Sequence, residues 1–151
     1  MKLSVFYYII ASKKYYFESD INNKNEIINN IPIMIKDKFE FDIPTYVTTS
    51  QELEELMSNS PEWWGKDNKE IYDNIIFIIP PTTYKEVFDA IGSPNEYEKI
   101  HEYKNNIFWS FDLKNYRKSH WWSKTTSTEI SNSITIRTAN TMRKILEICK
   151  R

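Results

Sequence analysis

Asp112-Leu113-Lys114 is the stretch of this 151-residue chain whose residue types come nearest to a catalytic element. It fits the short D-x-K pattern of metal-dependent nucleases. There a carboxylate holds the metal and a lysine neighbours the attacking water. The chemistry needs a second acid at the metal. Asp73 and Asp89 are candidates, but nothing in the linear order brings either one to Asp112. A three-residue pattern also recurs by chance, and the plainer reading is a solvated strand end.

A second constellation follows directly. Lys114, Arg117, Lys118, His120 and Lys124 interleave with Tyr116, Trp121 and Trp122. Cations beside stacking rings suit single-stranded nucleic acid. They equally suit a protein partner, because Trp, Tyr and Arg dominate interface energetics. A third reading folds the tryptophans back onto the core. The net charge of −1 weighs against nucleic acid.

The third constellation has the opposite sign. Residues 51–102 carry twelve acidic and four basic residues, whereas residues 103–151 carry ten basic and three acidic. Within the acidic block, Glu54, Glu55, Glu62, Asp67 and Glu70 surround the adjacent rings Trp63 and Trp64. Aromatic anchors ringed by charge are a protein-interface pattern. A negative surface imitates a phosphate backbone to a basic partner and speeds encounter. The blander alternatives are a solvated helix face, and acidic and basic blocks that neutralise one another in the fold.

Other chemistries lack their parts. With only Gly65 and Gly92, neither a Walker loop nor GxGxxG can be written. His101 beside Glu98 and Glu102 is not a zinc spacing, and two histidines with one cysteine disfavour structural zinc. Ser123 to Thr128 contain no base next to a hydroxyl, so nucleophilic catalysis is unsupported. No cofactor and no metal site is expected. Cys149 alone forms no internal disulfide and suits a reducing, cytoplasmic setting.

The element that must position these groups is Ile75–Ile79, a β-branched apolar run stopped by Pro80-Pro81. It reads as a central strand buried on both faces. Before it, Leu3–Ala11 and Tyr15–Glu18 read as a hairpin rather than a secretory leader. Asp20 or Asn22 caps a helix over Asn23–Asn30 that Pro32 interrupts. A loop at Asp42-Ile43-Pro44 precedes a strand over Thr45–Thr48. A helix with Ser50 as cap follows, and Lys69–Asp73 reads as one helical turn.

After the central strand, Thr82 or Thr83 caps a helix that runs to Ile91 and stops at Gly92. Asn95–Lys104 reads as a further helix. Ile107–Leu113 is a strand, Asn115–Glu129 a polar loop, and Ser133–Arg137 a strand. A last helix is capped by Asn140 or Thr141. No linker or repeat divides the chain.

The expectation is therefore a single α/β domain of the mixed α+β kind over residues 1–151. A mixed central sheet of about five to six strands would be covered by helices. No apolar run is long enough to span a membrane. The expected function is that of an immunity protein: a non-enzymatic, cytoplasmic chain that covers the active site of a cognate bacterial toxin, a nuclease domain in the first instance. Its binding set would be Glu54, Glu55, Glu62, Trp63, Trp64, Asp67 and Glu70. The loop Lys114, Arg117, Lys118, His120, Trp121 and Trp122 is the alternative surface. The competing functions are a metal-dependent nuclease or RNA-processing enzyme using Asp112 and Lys114, and a phage or mobile-element accessory binding protein.

Overall fold

The computed structural model describes residues 4–10, 13–19, 24–40, 44–126 and 129–150. Strands β1 (Ser4–Ile10) and β2 (Lys13–Ser19) form the expected antiparallel hairpin. Strand β3 (Thr45–Thr49) pairs with the other side of β1. The expected caps Asp20 and Asn22, and Asp42-Ile43 of the loop, lie outside the described residues.

Between β2 and β3 runs helix α1, Lys24–Phe39, as one continuous helix with Pro32 inside it. The expected break does not occur. Proline costs a helix interior one hydrogen bond and about 3 kcal/mol. Against that stands a stripe at spacings of four: Ile27, Ile31 and Ile35 are buried with Val47 of β3. That packing carries the helix through the proline.

The second sheet has the order β5-β6-β4-β7. Strand β4 (Ile71–Ile78) is central and pairs antiparallel with both β6 (Asn106–Asp112) and β7 (Ile134–Thr138). Ile75, Ile76, Phe77 and Ile78 are at most 1% exposed, as the apolar run implied. Both faces are covered. Helix α2 (Ser50–Ser58) and helix α5 (Ala139–Cys149) pack with Ile75 and Phe77 on one face. Helix α3 (Tyr84–Ile91) and helix α4 (His120–Thr125) cover Ile76 and Ile78 on the other.

The fold is single-domain α+β, and every strand pair among the described residues is antiparallel. The strands divide into a three-stranded and a four-stranded sheet rather than one mixed sheet. Double-face burial implies helices above and below the strand, in a mixed sheet. Here helices on both faces achieve the same burial for an antiparallel strand. Tyr46 of β3 joins the two sheets. Its ring lies 4.8 Å from Phe77, and its hydroxyl accepts from Asn106 Nδ2.

Two further regions depart from the sequence reading. Residues 98–103 form strand β5, the sheet edge against β6, not a helix. Tyr97, Ile100 and Tyr103 recur at threes, which is compatible with either state over so short a span. The deciding signal is Lys104-Asn105, both at positive φ (45° and 67°), which closes a two-residue hairpin. Asn105 also accepts the Tyr84 backbone N–H at 2.6 Å and donates to the Thr82 carbonyl, tying that turn to the start of α3.

The expected loop over 115–129 contains a 3-10 turn, Tyr116–Lys118, and α4. Smaller corrections concern caps and one turn. Thr49, not Ser50, caps α2 through a reciprocal capping box with Glu52. Thr138, not Asn140 or Thr141, caps α5. The expected turn at Lys69–Asp73 belongs largely to β4.

Candidate functional site

The two adjacent tryptophans have opposite fates. Trp64 is 4% exposed, and its indole N–H donates to the Asn74 carbonyl at 2.8 Å. Its ring meets Phe108 edge-on at 5.1 Å. It is core and cannot anchor a partner from outside, which corrects its place in the expected binding set. Trp63 is only half-buried, and Lys99 Nζ lies 5.9 Å from its ring centroid. Gly65 follows at φ 75°, and its carbonyl accepts from Arg143 of α5 at 2.8 Å. Trp64 below and Arg143 beside therefore hold the backbone that presents Trp63.

Glu54, Glu55, Glu62, Asp67 and Glu70 are all exposed. Capping fixes the first two, since α2 is short and held by Thr49 and Glu52 at its start. Glu55 is engaged: its carboxylate accepts from Lys104 Nζ at 2.7 Å and from the Tyr103 hydroxyl at 3.1 Å. The lysine, then the tyrosine, holds its carboxyl below the usual value. Lys104 lies in the basic third of the chain, so acidic and basic blocks do meet here. Glu54, Glu62, Asp67 and Glu70 are exposed, with no such contact among the described residues.

Trp63 forms one wall of a cleft of about 280 Å³ at the end of the sheet. Ile71, Glu96, Tyr97, Lys99 and Asp112 also line it. Register explains the grouping. Lys99 pairs with Ser110, Ser110 with Asp73, and Ile71 with Asp112, so these side chains leave neighbouring strands on one face. Lys99, Tyr97 and Glu96 were not singled out from the sequence. The strand alternation that would have revealed them was masked by the helical reading of 95–104.

Asp112 and Lys114 do not make a metal site together. The Asp112 carboxylate accepts the Lys114 backbone N–H at 3.0 Å and Asn115 Nδ2 at 2.8 Å, closing a turn. The Asn115 bond, more than any other contact, lowers its pKa. Asp73 is occupied by the Ser110 hydroxyl. Asp89 pairs with Lys85 on α3, across the sheet. Among the described residues no group of three His, Cys, Asp or Glu side chains could hold a metal ion.

The alternative basic surface is also divided by the fold. Trp121 is 0% exposed, and its indole donates to the Gly92 carbonyl at 3.0 Å. His120 Nε2–H donates to the Ile91 carbonyl. Both serve packing of α4 on α3; Trp121 is thereby removed from the surface, whereas His120 stays partly exposed. Trp122 is 38% exposed and rests edge-on against Tyr116 at 4.9 Å. Arg117 folds onto the same tyrosine, with Nε donating to its hydroxyl at 3.0 Å. Lys114 and Lys118 are exposed.

Residues 9–108 match a family described as protein of unknown function (DUF1697). That is two thirds of the sequence. This chain belongs to the DUF1697 family. The DUF1697 match runs from the end of β1 into β6. It therefore includes Trp63, Trp64 and the acidic residues around them, and stops short of Asp112 and the basic α4 region. The fold is similar to that of a conserved bacterial protein, SP0830 from Streptococcus pneumoniae. The TM-score is 0.84 over 98% of this chain and 99% of that one, at 16% identity. No curated protein matches the sequence. Among the described residues no helix is long and apolar enough to cross a membrane.

Proposed function

We propose that this chain is an immunity-type binding protein that neutralises a cognate bacterial toxin, a nuclease domain, by covering its active site. The observation that carries the reading is that Glu54, Glu62, Asp67 and Glu70, close in sequence to half-buried Trp63, are all exposed. A nuclease cleft must hold phosphates and is therefore basic, so charge complementarity selects this face. The rigid mounting of Trp63 over core Trp64 reduces the ordering cost of binding. The basic face is the weaker candidate, because two of its six residues are committed to packing. The nuclease reading is disfavoured because the second acid it needs is engaged elsewhere: Asp73 by the Ser110 hydroxyl, and Asp89 by Lys85 on α3.

The test is co-expression with a nuclease toxin encoded beside it, followed by a binding titration. Protection of the host and a salt-sensitive complex are expected. Trp63→Ala should speed dissociation, at about 2 kcal/mol or more. Charge reversal at Glu54 and Glu62 should mainly slow association. Arg117→Ala and Trp122→Ala should leave binding unchanged. If only the last pair weakens it, the interface is the basic face. If purified protein cuts RNA or DNA in a metal-dependent way that Asp112→Ala abolishes, the chain is a nuclease instead.

A further inference from the structure

The cleft beside Trp63 carries a ligand preference of its own. Two of its walls are aromatic, and each ring already holds a cation of this chain. Lys99 Nζ stands 5.9 Å from the Trp63 centroid, and Lys118 Nζ stands 5.3 Å from the Tyr97 centroid. Both distances lie within the range at which a ring face attracts an ammonium group. Both lysines are exposed on long, flexible stems, so holding them there costs side-chain entropy and the contacts are weak.

The rim supplies negative charge in a form those lysines do not consume. Asp112 is ionised, and it accepts one hydrogen bond on each oxygen from its own turn. A carboxylate has about four acceptor positions, so roughly two remain. Glu96 stands exposed on the same cleft. Glu98 is spent elsewhere, on the backbone of α4. A ring face next to a carboxylate is the pairing that suits a guanidinium. The group is planar, weakly hydrated, stacks on aromatics and forks onto carboxylates, whereas an ammonium is compact and strongly hydrated.

We infer that the cleft is a receptor for an arginine side chain of a protein partner. The Trp63 and Tyr97 faces take the guanidinium plane, Asp112 and Glu96 supply the counter-charge, and Lys99 is the resident cation that arginine displaces. The inference rests on the partner-binding reading above and names the chemistry that site recognises.

The experiment is an NMR titration of the full chain with N-acetyl-arginine amide, following the Trp63 and Trp64 indole N–H signals. N-acetyl-lysine amide and N-acetyl-glutamine amide are the comparison probes. A saturable shift at Trp63 is expected, half-complete in the range of roughly 1–10 mM. It should be weaker for lysine and absent for glutamine. Trp64 should stay still and so report an intact core.

Lys99→Met removes the competing cation and should tighten arginine binding about two-fold or more. Trp63→Leu abolishes binding, read there from the backbone amide signals of the cleft residues Ile71 and Asp112. No saturable shift, an equal response to glutamine, or binding that survives Trp63→Leu overturns the inference. The two readings fail separately. Arginine binding without toxin binding leaves the cleft and removes the toxin. Toxin binding unaltered by Trp63→Leu leaves the toxin and removes the cleft.

Discussion

The Glu98 carboxylate accepts the backbone N–H of Trp121 at 2.9 Å, across 23 residues of sequence. Its other oxygen accepts the N–H of His120. Glu98 is 6% exposed at the start of the edge strand. Its charge is thus satisfied by the first turn of α4, where orphan backbone donors and the helix dipole favour an anion. The contact seats α4 over the sheet and drives Trp121 into the core. Glu98→Gln keeps the shape but replaces one acceptor oxygen with a donor, which then faces a backbone N–H. A loss of about 1–3 kcal/mol is expected. Urea unfolding measures it. An unchanged midpoint and slope would show that the clasp contributes nothing.

Ile76 is 0% exposed on the face covered by α3 and α4. Ile76→Asp places a charge there without a partner, at a cost of several kcal/mol. The variant should be insoluble or unfolded on expression. A soluble protein with the melting temperature of the parent would falsify this.

Asn105 combines two roles in one residue. Its φ of 67° favours Asn or Gly, and its side chain bonds Tyr84 N and the Thr82 carbonyl. Asn105→Gly retains the backbone conformation and loses only the side-chain bonds. Asn105→Ala loses both and should be the less stable of the two by about 1 kcal/mol. Thermal melts of the pair separate the contributions. Equal stability would mean that the turn geometry carries no cost for alanine.

The Glu55–Lys104 pair gives a pH signature. Glu55 sits below its ordinary value of 4.5 in the folded protein because Lys104 and Tyr103 donate to it. A depressed carboxyl contributes stability that is present above the unfolded value and is lost as pH falls through the folded one. Lys104 is raised above 10.5 by the same bond, so its share is lost only as pH rises beyond that value. Both groups are exposed, so the effect is small and screened by salt. A double-mutant cycle of Glu55→Gln and Lys104→Met should show coupling at neutral pH that fades below pH 4.5. Coupling that persists in acid would point to packing of the lysine stem instead.

Several elements are legible in the residues alone because their causes are local. The apolar run ahead of Pro80-Pro81 must be buried wherever it lies, and Ile75 to Ile78 are; Ile79, next to the prolines, is only partly buried. Thr83 with Glu86, and Gly92 after Ile91, delimit α3 within a dozen residues. Met142 and Ile145 share a helical face, and both are fully buried. The clustering of carboxylates around Trp63 is likewise a property of the sequence.

Other features depend on which surfaces meet, and no short window contains that information. Trp121 and Trp122 are neighbours of one type, yet one is core and the other half-exposed. The difference arises because Glu98, 23 residues earlier, binds the backbone of α4 and fixes its rotation. Trp63 and Trp64 divide for the same reason, with Phe108 and the Asn74 carbonyl claiming the second ring. Residues 98–103 become a strand because the exposed edge of β6 offers them partners. Lys99 then comes to lie over Trp63 and Asp112 to share its cleft, a grouping of residues from three separate parts of the chain. Pairing and burial are satisfied between distant segments, so only the assembled tertiary structure decides them.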